Sequence, residues 1–269
     1  MKIVQITDTH LVPPGERMHT LDPAARLQKV LDHVRTTCAD ADLLVFTGDL
    51  AHDGAESAYL ALKRMLLDIP LPVKLLLGNH DKRLPFLRVF PETAVDEAGF
   101  VQSFLDTEEG KDRLIFLDSL EEGQTGGRYC TARSEWLRQT LASAPNRAVT
   151  VFIHHPPVPH GMRHFDNIGF HDAEEVMALL RAHPGGIRHM FFGHIHIPLT
   201  GVTRDGIGFT AGRGCNHQFV QEFDNPAPPW AAGPLNYTII TINDAGVFAH
   251  GCDLFDVVPV APSRACAGP

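Results

Sequence analysis

The segment FFGHIHIPL, residues 191–199, places two histidines directly after a short apolar run and a glycine. In a β-strand, residues i and i+2 project from the same face, so His194 and His196 would lie side by side. Two imidazoles on one face of a strand end have little use in packing, and both can bind a divalent metal. Because the chain holds 16 histidines, this spacing alone does not separate a metal site from chance.

The other apolar runs of the sequence end in the same kinds of residue. Each run is typical of a buried strand and alternates with a segment of helical period, which predicts an α/β fold over about the first 200 residues. Ligands of open α/β sheets bind outside the carboxyl ends of the strands. Carboxylate, amide and imidazole groups follow five of these runs: Asp8 and His10, Asp49, Asn79 with His80 and Asp81, His154 with His155, and His194 with His196. A metal site at the shared edge is therefore the favoured interpretation.

Helix signals occupy the segments between these runs. Asp22 is placed to cap a helix that begins at Pro23. Three further helical segments are predicted at residues 56–69, 134–144 and 172–183.

From Leu199 onward the pattern is β-rich. Turn signals at Asp205-Gly206 and at residues 244–246 each lie between apolar segments, so we expect added antiparallel strands here. No repeat and no linker-like composition interrupts the chain, and residues 1–269 are interpreted as a single domain. Two segments rich in proline, glycine and histidine are predicted to be functional loops: 156–171 and 212–234.

Composition restricts the classes of partner. The chain has 23 Lys and Arg against 32 Asp and Glu, a net charge of −9, which disfavours a nucleic-acid polymer as ligand. The five cysteines are scattered without a C-x-x-C pair, which is typical of free thiols in a reducing compartment. The N-terminus has no signal-peptide pattern, and no stretch approaches the ~20 apolar residues of a membrane span. We therefore expect a cytoplasmic protein that acts without a membrane.

Taken together, the strand-end residues resemble the motif series of the calcineurin-like metallophosphoesterases. That series is D-x-H, G-D, G-N-H-[DE], H and G-H-x-H, and this chain has it at residues 8–10, 48–49, 78–81, 154 and 193–196. The segments 48–66 and 154–180 are also similar to one branch, the class III cyclic-nucleotide phosphodiesterases and related glycerophosphodiesterases. The resemblance implies a four-layer α/β/β/α sandwich of two mixed sheets with a two-metal site at one edge.

The resemblance also implies a set of metal ligands. The first metal would be bound by Asp8, His10, Asp49 and His196, and the second by Asp49, Asn79, His154 and His194, with Asp49 bridging. Oxygen and imidazole ligands without thiolate suit Mn²⁺, Fe²⁺ or Fe³⁺, Co²⁺ and Zn²⁺. Two carboxylates against two metal cations leave the site electron-poor, so it should attract a phosphate ester. A hydroxide held between the metals would then attack the phosphorus in line.

Three of these motif residues would also contact the substrate: Asn79, His80 and His196. The family's histidine at the position of His80 faces the phosphate, so we expect His80 to stabilise the transition state or protonate the leaving group. Asp81 would either orient an imidazole or cap a helix. In the two loops, a base could stack on Phe165, and Asn216 or His217 could bond a ribose or a phosphate. Substrate selection is expected to come from these loops, which also contain His164, Asp166 and Arg213. His52 and His155, near the motifs, have no assigned role.

One departure from related phosphatases narrows the expected substrate. Ser/Thr protein phosphatases carry an arginine in G-D-x-x-D-R-G that helps to hold a dianionic monoester, and residues 48–54 here contain none. We therefore expect a binuclear-metal phosphodiesterase for small diesters such as 3′,5′-cyclic nucleotides or glycerophosphodiesters. A metal-dependent nuclease, a broad-specificity phosphoesterase and a catalytically silent scaffold remain as alternatives. The strands after Leu199 could also support a homodimer or a larger homo-oligomer.

Overall fold

Thirteen strands and six helices are present in the part of the chain that the structure describes. The structure is a computed structural model, and it describes residues 1–107 and 110–254. The strands are β1 (Lys2–Ile6), β2 (Leu43–Thr47), β3 (Val73–Leu76), β4 (Ser103–Asp106), β5 (Asp112–Phe116), β6 (Ala148–Phe152), β7 (Ile187–Phe192), β8 (Leu199–Val202), β9 (Gly208–Ala211), β10 (Gln218–Phe219), β11 (Trp230–Ala231), β12 (Leu235–Asn243) and β13 (Gly246–Leu254). The helices are α1 (Pro23–Thr37), α2 (Glu56–Leu66), α3 (Arg83–Val89), α4 (Thr131–Ala142), α5 (Arg163–Asn167) and α6 (Ala173–Arg181).

Two large mixed sheets organise these strands. The first has the order β13-β12-β1-β2-β3, in which β1, β2 and β3 run parallel and β12 pairs antiparallel with both β1 and β13. The second has the order β4-β5-β6-β7-β9-β8, in which the four inner strands run parallel and both edge strands pair antiparallel. A separate ribbon pairs β10 with β11.

Three apolar clusters separate four layers. Successive side chains of a strand point to opposite faces, so in β2 Phe46 packs towards the helices α1 and α2 whereas Val45 packs between the two sheets. Between the sheets, the rings of Phe152 and Phe191 stack at 5.3 Å between centroids. On the far side, α4 and α6 cover the second sheet through residues such as Leu137. The predicted four-layer α/β/β/α sandwich is therefore confirmed.

Several local predictions are also confirmed. The Asp22 side chain accepts a hydrogen bond from Ala25 N, and Pro23 begins α1. The three other predicted helices correspond to α2, α4 and α6. The described cysteines are free thiols, as expected, while Cys266 lies outside the described residues.

The strands after Leu199 differ from the expectation in their pairing. Both predicted hairpins form, as β8–β9 and β12–β13. However, β9 lies between β7 and β8 and pairs in parallel with β7, and β12 lies directly beside β1. These strands are therefore integral parts of the two sheets. They are not all antiparallel, because β8 takes the sheet edge and leaves β9 to pair in parallel with β7.

Candidate metal centre

The predicted ligand residues meet at one edge of the sandwich. They follow β1, β2, β3, β6 and β7, whose carboxyl ends converge where the two sheets adjoin. Backbone hydrogen bonds connect these strand ends, since Asp8 N donates to Gly48 O and Gly193 N donates to His154 O. Across the sheets, His194 N donates to a carboxylate oxygen of Asp8 at 3.1 Å. All seven predicted ligands thus lie in one cluster: Asp8, His10, Asp49, Asn79, His154, His194 and His196.

Several residues at this edge of the sandwich have an unfavourable backbone conformation. Six non-glycine residues of the described chain have a left-handed φ, and five of them are predicted ligands: Asp8, His10, Asp49, His194 and His196. Left-handed φ is uncommon outside glycine and costs on the order of 1–3 kcal/mol per residue. Such strain persists where the surrounding structure holds it, and here it aims the side chains inward.

The first group of donors surrounds His10 and His196. Their Nε2 atoms lie 3.1 Å apart. His10 Nε2 lies 3.4 Å from Asp49 Oδ2, and His196 Nε2 lies 3.4 Å from Asp8 Oδ1. One donor atom from each of these four residues falls within 4.8 Å of every other, which is a fitting size for one metal ion.

The second group is centred on Asn79. Its Oδ1 lies 3.2 Å from His154 Nε2 and 3.0 Å from His194 Nδ1. His154 Nε2 also lies 3.5 Å from Asp49 Oδ2. The same Asp49 oxygen therefore adjoins both groups.

Backbone carbonyls determine which imidazole nitrogens face these groups. His154 Nδ1 lies 2.8 Å from Thr47 O, His194 Nε2 lies 3.0 Å from Ile168 O, and His196 Nδ1 lies 2.9 Å from His217 O. A carbonyl only accepts, so each of these nitrogens carries a proton and donates it outward. In the neutral form of each ring, the other nitrogen presents a lone pair inward. The inward-facing atoms carry lone pairs and lie 3.0–3.5 Å from one another, and such atoms are suitable ligands for a cation. A backbone carbonyl that accepts the outer N–H of the ring is also a usual partner of a metal-bound histidine.

The charges within the cluster are consistent with cation binding. Burial raises the pKa of Asp49, but the surrounding imidazoles, His154 foremost, hold it well below its usual range. Burial lowers the pKa of His154, but the Asp49 carboxylate more than offsets this and raises it to about 9. Burial keeps the pKa of His10 and His194 well below the ordinary value, so both are neutral. The negative charge that favours a proton on His154 also favours a metal ion, and a bound metal would displace that proton.

His80 lies at the solvent side of the cluster. Its backbone N–H donates to Asp49 Oδ1 at 2.9 Å, and its ring Nδ1 donates to His52 O at 2.7 Å. The His52 ring stacks on His80 with centroids 4.8 Å apart, and its Nδ1 lies 3.2 Å from Nδ1 of His10. His80 is half-buried, and its Nε2 is the nitrogen available to a bound molecule.

Asp81 has neither of the roles expected for it. Helix α3 begins two residues later with Lys82 at its N-cap, and within the described residues the donors to the carboxylate are backbone N–H groups and a hydroxyl rather than an imidazole. Instead Asp81 is buried and accepts hydrogen bonds from three backbone N–H groups, those of Leu50, Ala51 and Gly78. Its fourth donor is the hydroxyl of Tyr59 on α2, at 2.9 Å. Asp81 therefore ties the turn after β3 to the turn after β2, and sequence reasoning missed Tyr59 because a buried tyrosine on a helix carries no distinctive signal.

The loop residues that were expected to contact the substrate make other contacts in the structure. Phe165 is 1% exposed and packs in the second core, with its ring 5.2 Å from Phe219, so it has no free face for a base to stack on. His217 is also buried, and its ring lies 4.2 Å from that of His196. Arg213 pairs with Asp253 at 3.3 Å.

The remaining neighbours serve the loops and the packing. His164 donates to Pro226 O, and the Asp166 carboxylate accepts from His160 N and Gly161 N. His155 uses both ring nitrogens, which face Ser119 Oγ at 2.8 Å and Thr125 O at 3.3 Å. The His155 ring therefore supports the second donor group from behind.

An α/β/β/α sandwich with two adjoining donor groups at one sheet edge defines the class of binuclear metal-dependent phosphoesterases. The family model described as calcineurin-like phosphoesterase matches residues 1–198, and the chain belongs to that family. Family membership and the clustered His and Asp groups together support a binuclear metal centre.

Named relatives cover most of the chain. It is 38% identical over 261 residues to a probable cyclic nucleotide phosphodiesterase of Rhodopseudomonas palustris, covering 94% of this chain and 92% of the relative. It is 30% identical over 197 residues to a probable glycerophosphodiester phosphodiesterase of Arcobacter nitrofigilis, covering 73% and 72%. Among solved structures, a dimetal phosphatase from Danio rerio has a TM-score of 0.70 at 16% identity, covering 93% of this chain and 95% of that chain. Separately, no helix in the described residues is long and apolar enough to cross a membrane.

Proposed function

We propose that this protein is a phosphodiesterase with a binuclear metal centre that hydrolyses small phosphodiesters, namely 3′,5′-cyclic nucleotides or glycerophosphodiesters. The observation that carries the proposal is the position of Asp49 Oδ2, which lies within 3.5 Å of an imidazole from each donor group. The relatives from Rhodopseudomonas palustris and Arcobacter nitrofigilis, named for these two substrate classes, support it.

The proposed ligand sets follow the two donor groups. Asp8, His10, Asp49 and His196 would hold the first metal, and Asp49, Asn79, His154 and His194 would hold the second. Because the donors are oxygen and imidazole nitrogen, the metals are Mn²⁺, Fe²⁺ or Fe³⁺, Co²⁺ or Zn²⁺. When bound, such a pair supplies a Lewis acid for the phosphoryl oxygens and lowers the pKa of a water molecule.

Side chains of the protein would then bind the substrate and transfer one proton. In this proposal Asn79, His80 and His196 contact the phosphoryl group. The His80 ring is held by its Nδ1–H bond to His52 O, so when the ring is protonated on both nitrogens its Nε2–H can pass a proton to the leaving oxygen or donate to the phosphoryl group. Because the outer nitrogens of His154, His194 and His196 are committed to backbone carbonyls, these rings stay oriented throughout.

The diester preference rests on the turn after β2. Residues 48–54 hold no arginine, and the imidazole of His52 in that turn stacks on the His80 ring. A dianionic monoester would lack the strong guanidinium partner that it needs, whereas a diester carries a single negative charge.

A comparison of two chromogenic esters tests this proposal. With Mn²⁺ or Co²⁺ supplied, kcat/KM for bis(p-nitrophenyl) phosphate should exceed that for p-nitrophenyl phosphate. A panel of 3′,5′-cyclic AMP, 2′,3′-cyclic AMP, glycerophosphodiesters and single-stranded DNA then identifies the substrate class. A clear preference for the monoester would overturn the diester proposal, preferred cleavage of the DNA would indicate a nuclease, and no turnover of any ester would indicate a scaffold.

Other aspects of the protein are proposals of the same kind. Residues 1–269 form a single domain, and the free thiols are compatible with a cytoplasmic location. Self-association would use the strands after Leu199, of which β13 is a nine-residue edge strand. Cell fractionation and analytical ultracentrifugation test these two points.

A further inference from the structure

An exposed indole lies beside the metal centre. Trp230 stands on β11 in the small ribbon and is 42% exposed. One face of the indole stacks on the buried ring of His217, with centroids 4.0 Å apart and planes inclined by 9°. Phe219 packs against the indole at 5.2 Å. The Trp230 ring is therefore fixed by its neighbours and is also accessible to solvent.

His217 connects this indole to the predicted ligands. The His217 ring lies 4.2 Å from the His196 ring and 4.9 Å from the His10 ring. Its main-chain carbonyl accepts the Nδ1 proton of His196 at 2.9 Å. Burial and the neighbouring imidazoles lower the pKa of His217. Trp230 is thus separated from the metal centre by a single ring.

His19 stands on the other side of the indole. Its ring meets Trp230 edge-on at 4.1 Å between centroids and lies 6.4 Å from His217. His19 sits in an exposed turn closed by the backbone hydrogen bonds between Met18 and Leu21. It is the one non-glycine residue of the described chain with a left-handed φ that is not a predicted ligand. Trp230 and His19 together are called the aromatic rim below.

The chemistry of the rim favours a planar ring as its ligand. A solvent-exposed aromatic side chain that is held in place by neighbouring rings is a usual platform for a nucleobase, because every base has a π face. Glycerol and ethanolamine offer no such surface. A quaternary ammonium is recognised by several ring faces arranged around it, whereas His217 covers one face of this indole and the His19 ring meets it edge-on.

We infer that the aromatic rim is a nucleobase subsite, and that the substrates are therefore nucleoside-bearing phosphodiesters rather than glycerophosphodiesters. This inference rests on the proposed function, because it assumes that the phosphate of the same molecule lies at the metal centre. Trp230 then determines specificity, while the metal ligands and His80 act on the phosphate.

Substitution at Trp230 tests the inference through activity. Trp230→Ala should raise KM for 3′,5′-cyclic AMP by about 5- to 150-fold with little change in kcat, since base stacking is a binding contribution made equally in ground and transition states. Trp230→Phe retains a flat ring and should keep most of the affinity. The matched control is Phe223→Ala, which removes another exposed aromatic side chain, 58% exposed, from the same loop. For glycerophosphoethanolamine, all three variants should behave as wild type.

A binding measurement tests the inference independently of turnover. The chain has two tryptophans, Trp136 and Trp230, so Trp136→Phe leaves Trp230 as the only indole. In that background, 5′-AMP should quench the tryptophan fluorescence saturably, whereas ribose 5-phosphate, which lacks a base, should not.

The outcomes separate the inference from the proposed function. If the enzyme hydrolyses glycerophosphodiesters but no cyclic nucleotide, or if Trp230→Ala impairs both substrates equally, the subsite is wrong and the phosphodiesterase assignment stands. A larger loss with glycerophosphocholine than with cyclic AMP would mean that the rim binds a quaternary ammonium instead, and would also overturn the subsite. If no diester is hydrolysed, the proposed function fails, and quenching by 5′-AMP alone then decides whether a base-binding rim exists.

Discussion

At the scale of single residues, Asp49 and His80 have separate proposed roles: Asp49 is a metal ligand, and His80 acts on the substrate. The Asp49 side chain points one oxygen towards His10 and His154 and accepts the His80 backbone N–H with the other, at 2.9 Å. The position of the His80 ring therefore depends on the carboxylate proposed to bridge the metals. Its side chain is separate from the ligand set, because the bond to Asp49 is made by the main chain.

This separation makes His80→Ala a test of proton transfer. A ribose or glycerol alkoxide must be protonated as it leaves, whereas p-nitrophenolate departs readily without help. General acid catalysis is typically worth about 10²–10⁴-fold, so kcat/KM for a cyclic nucleotide should fall by that factor and that for bis(p-nitrophenyl) phosphate by much less. Metal content should stay at two per chain.

Two other results would change the role of His80. Equal losses with both substrates would mean that the ring positions the phosphoryl group or stabilises charge on it. Loss of a metal would mean that the ring itself is a ligand.

Sequence alone could predict which residues meet at the site but not how they are supported. The predicted ligands are recognisable because each is polar and directly follows an apolar strand. Tyr59 and Asp81 are not, since their bond joins a helix to a turn 22 residues away and depends on tertiary packing. Phe165 was misleading for a similar reason, because an aromatic residue in a polar loop does not reveal from sequence whether it faces solvent or the core.

At the scale of elements, the turns after the strands bring donor atoms close to the backbone. Gly78 is the clearest example, because a Cβ built there would lie 2.2 Å from Asp49 Oδ1 and 2.7 Å from His154 Cε1. Only a residue without a side chain allows β3 to end so close to the proposed bridge.

We therefore expect Gly78→Ala to displace Asp49 and His154. Metal content should fall below two per chain, and kcat/KM for bis(p-nitrophenyl) phosphate should fall by about 10²-fold, the usual cost of misplacing a reacting group by roughly 1 Å. The matched control is Gly251→Ala on β13, where a Cβ meets nothing within 4 Å. Full metal content and wild-type activity in Gly78→Ala would show that the close approach has no role.

Element prediction succeeded where local signals were strong. Helix α1 has both a capping Asp22 and an initiating Pro23, and its predicted start is correct. The short β4 and α5 were not predicted, since four or five residues are too few to show a period. The parallel pairing of β9 with β7 bypasses β8, the strand between them in sequence, and no local pattern records this.

At the scale of the whole molecule, the proposed ligands come from both sheets. Asp8, Asp49 and Asn79 follow strands of the first sheet, whereas His154 and His194 follow strands of the second. Bound metals would therefore join the two halves of the sandwich, and removing them should weaken the whole fold.

Thermal unfolding tests whether bound metals hold the two sheets together. A ligand that binds only the folded state contributes about 2.7 kcal/mol at a concentration 100 times its Kd. For a chain of this length, such a change corresponds to roughly 5–10 °C in Tm. Chelation should therefore lower the Tm of the wild type by several degrees, and Asp49→Ala should show a much smaller response. An unchanged Tm after complete removal of the metals would mean that they do not hold the sheets together.

The central claim is that diester hydrolysis requires two metals joined by Asp49. The most direct measurement titrates the metal-stripped protein with Mn²⁺ while recording bound metal per chain and turnover of bis(p-nitrophenyl) phosphate. We predict two bound equivalents, turnover that rises with the second, and an Asp49→Ala variant that holds neither metal firmly and is inactive. Full turnover at one equivalent, or two firmly bound metals in Asp49→Ala, would contradict the account.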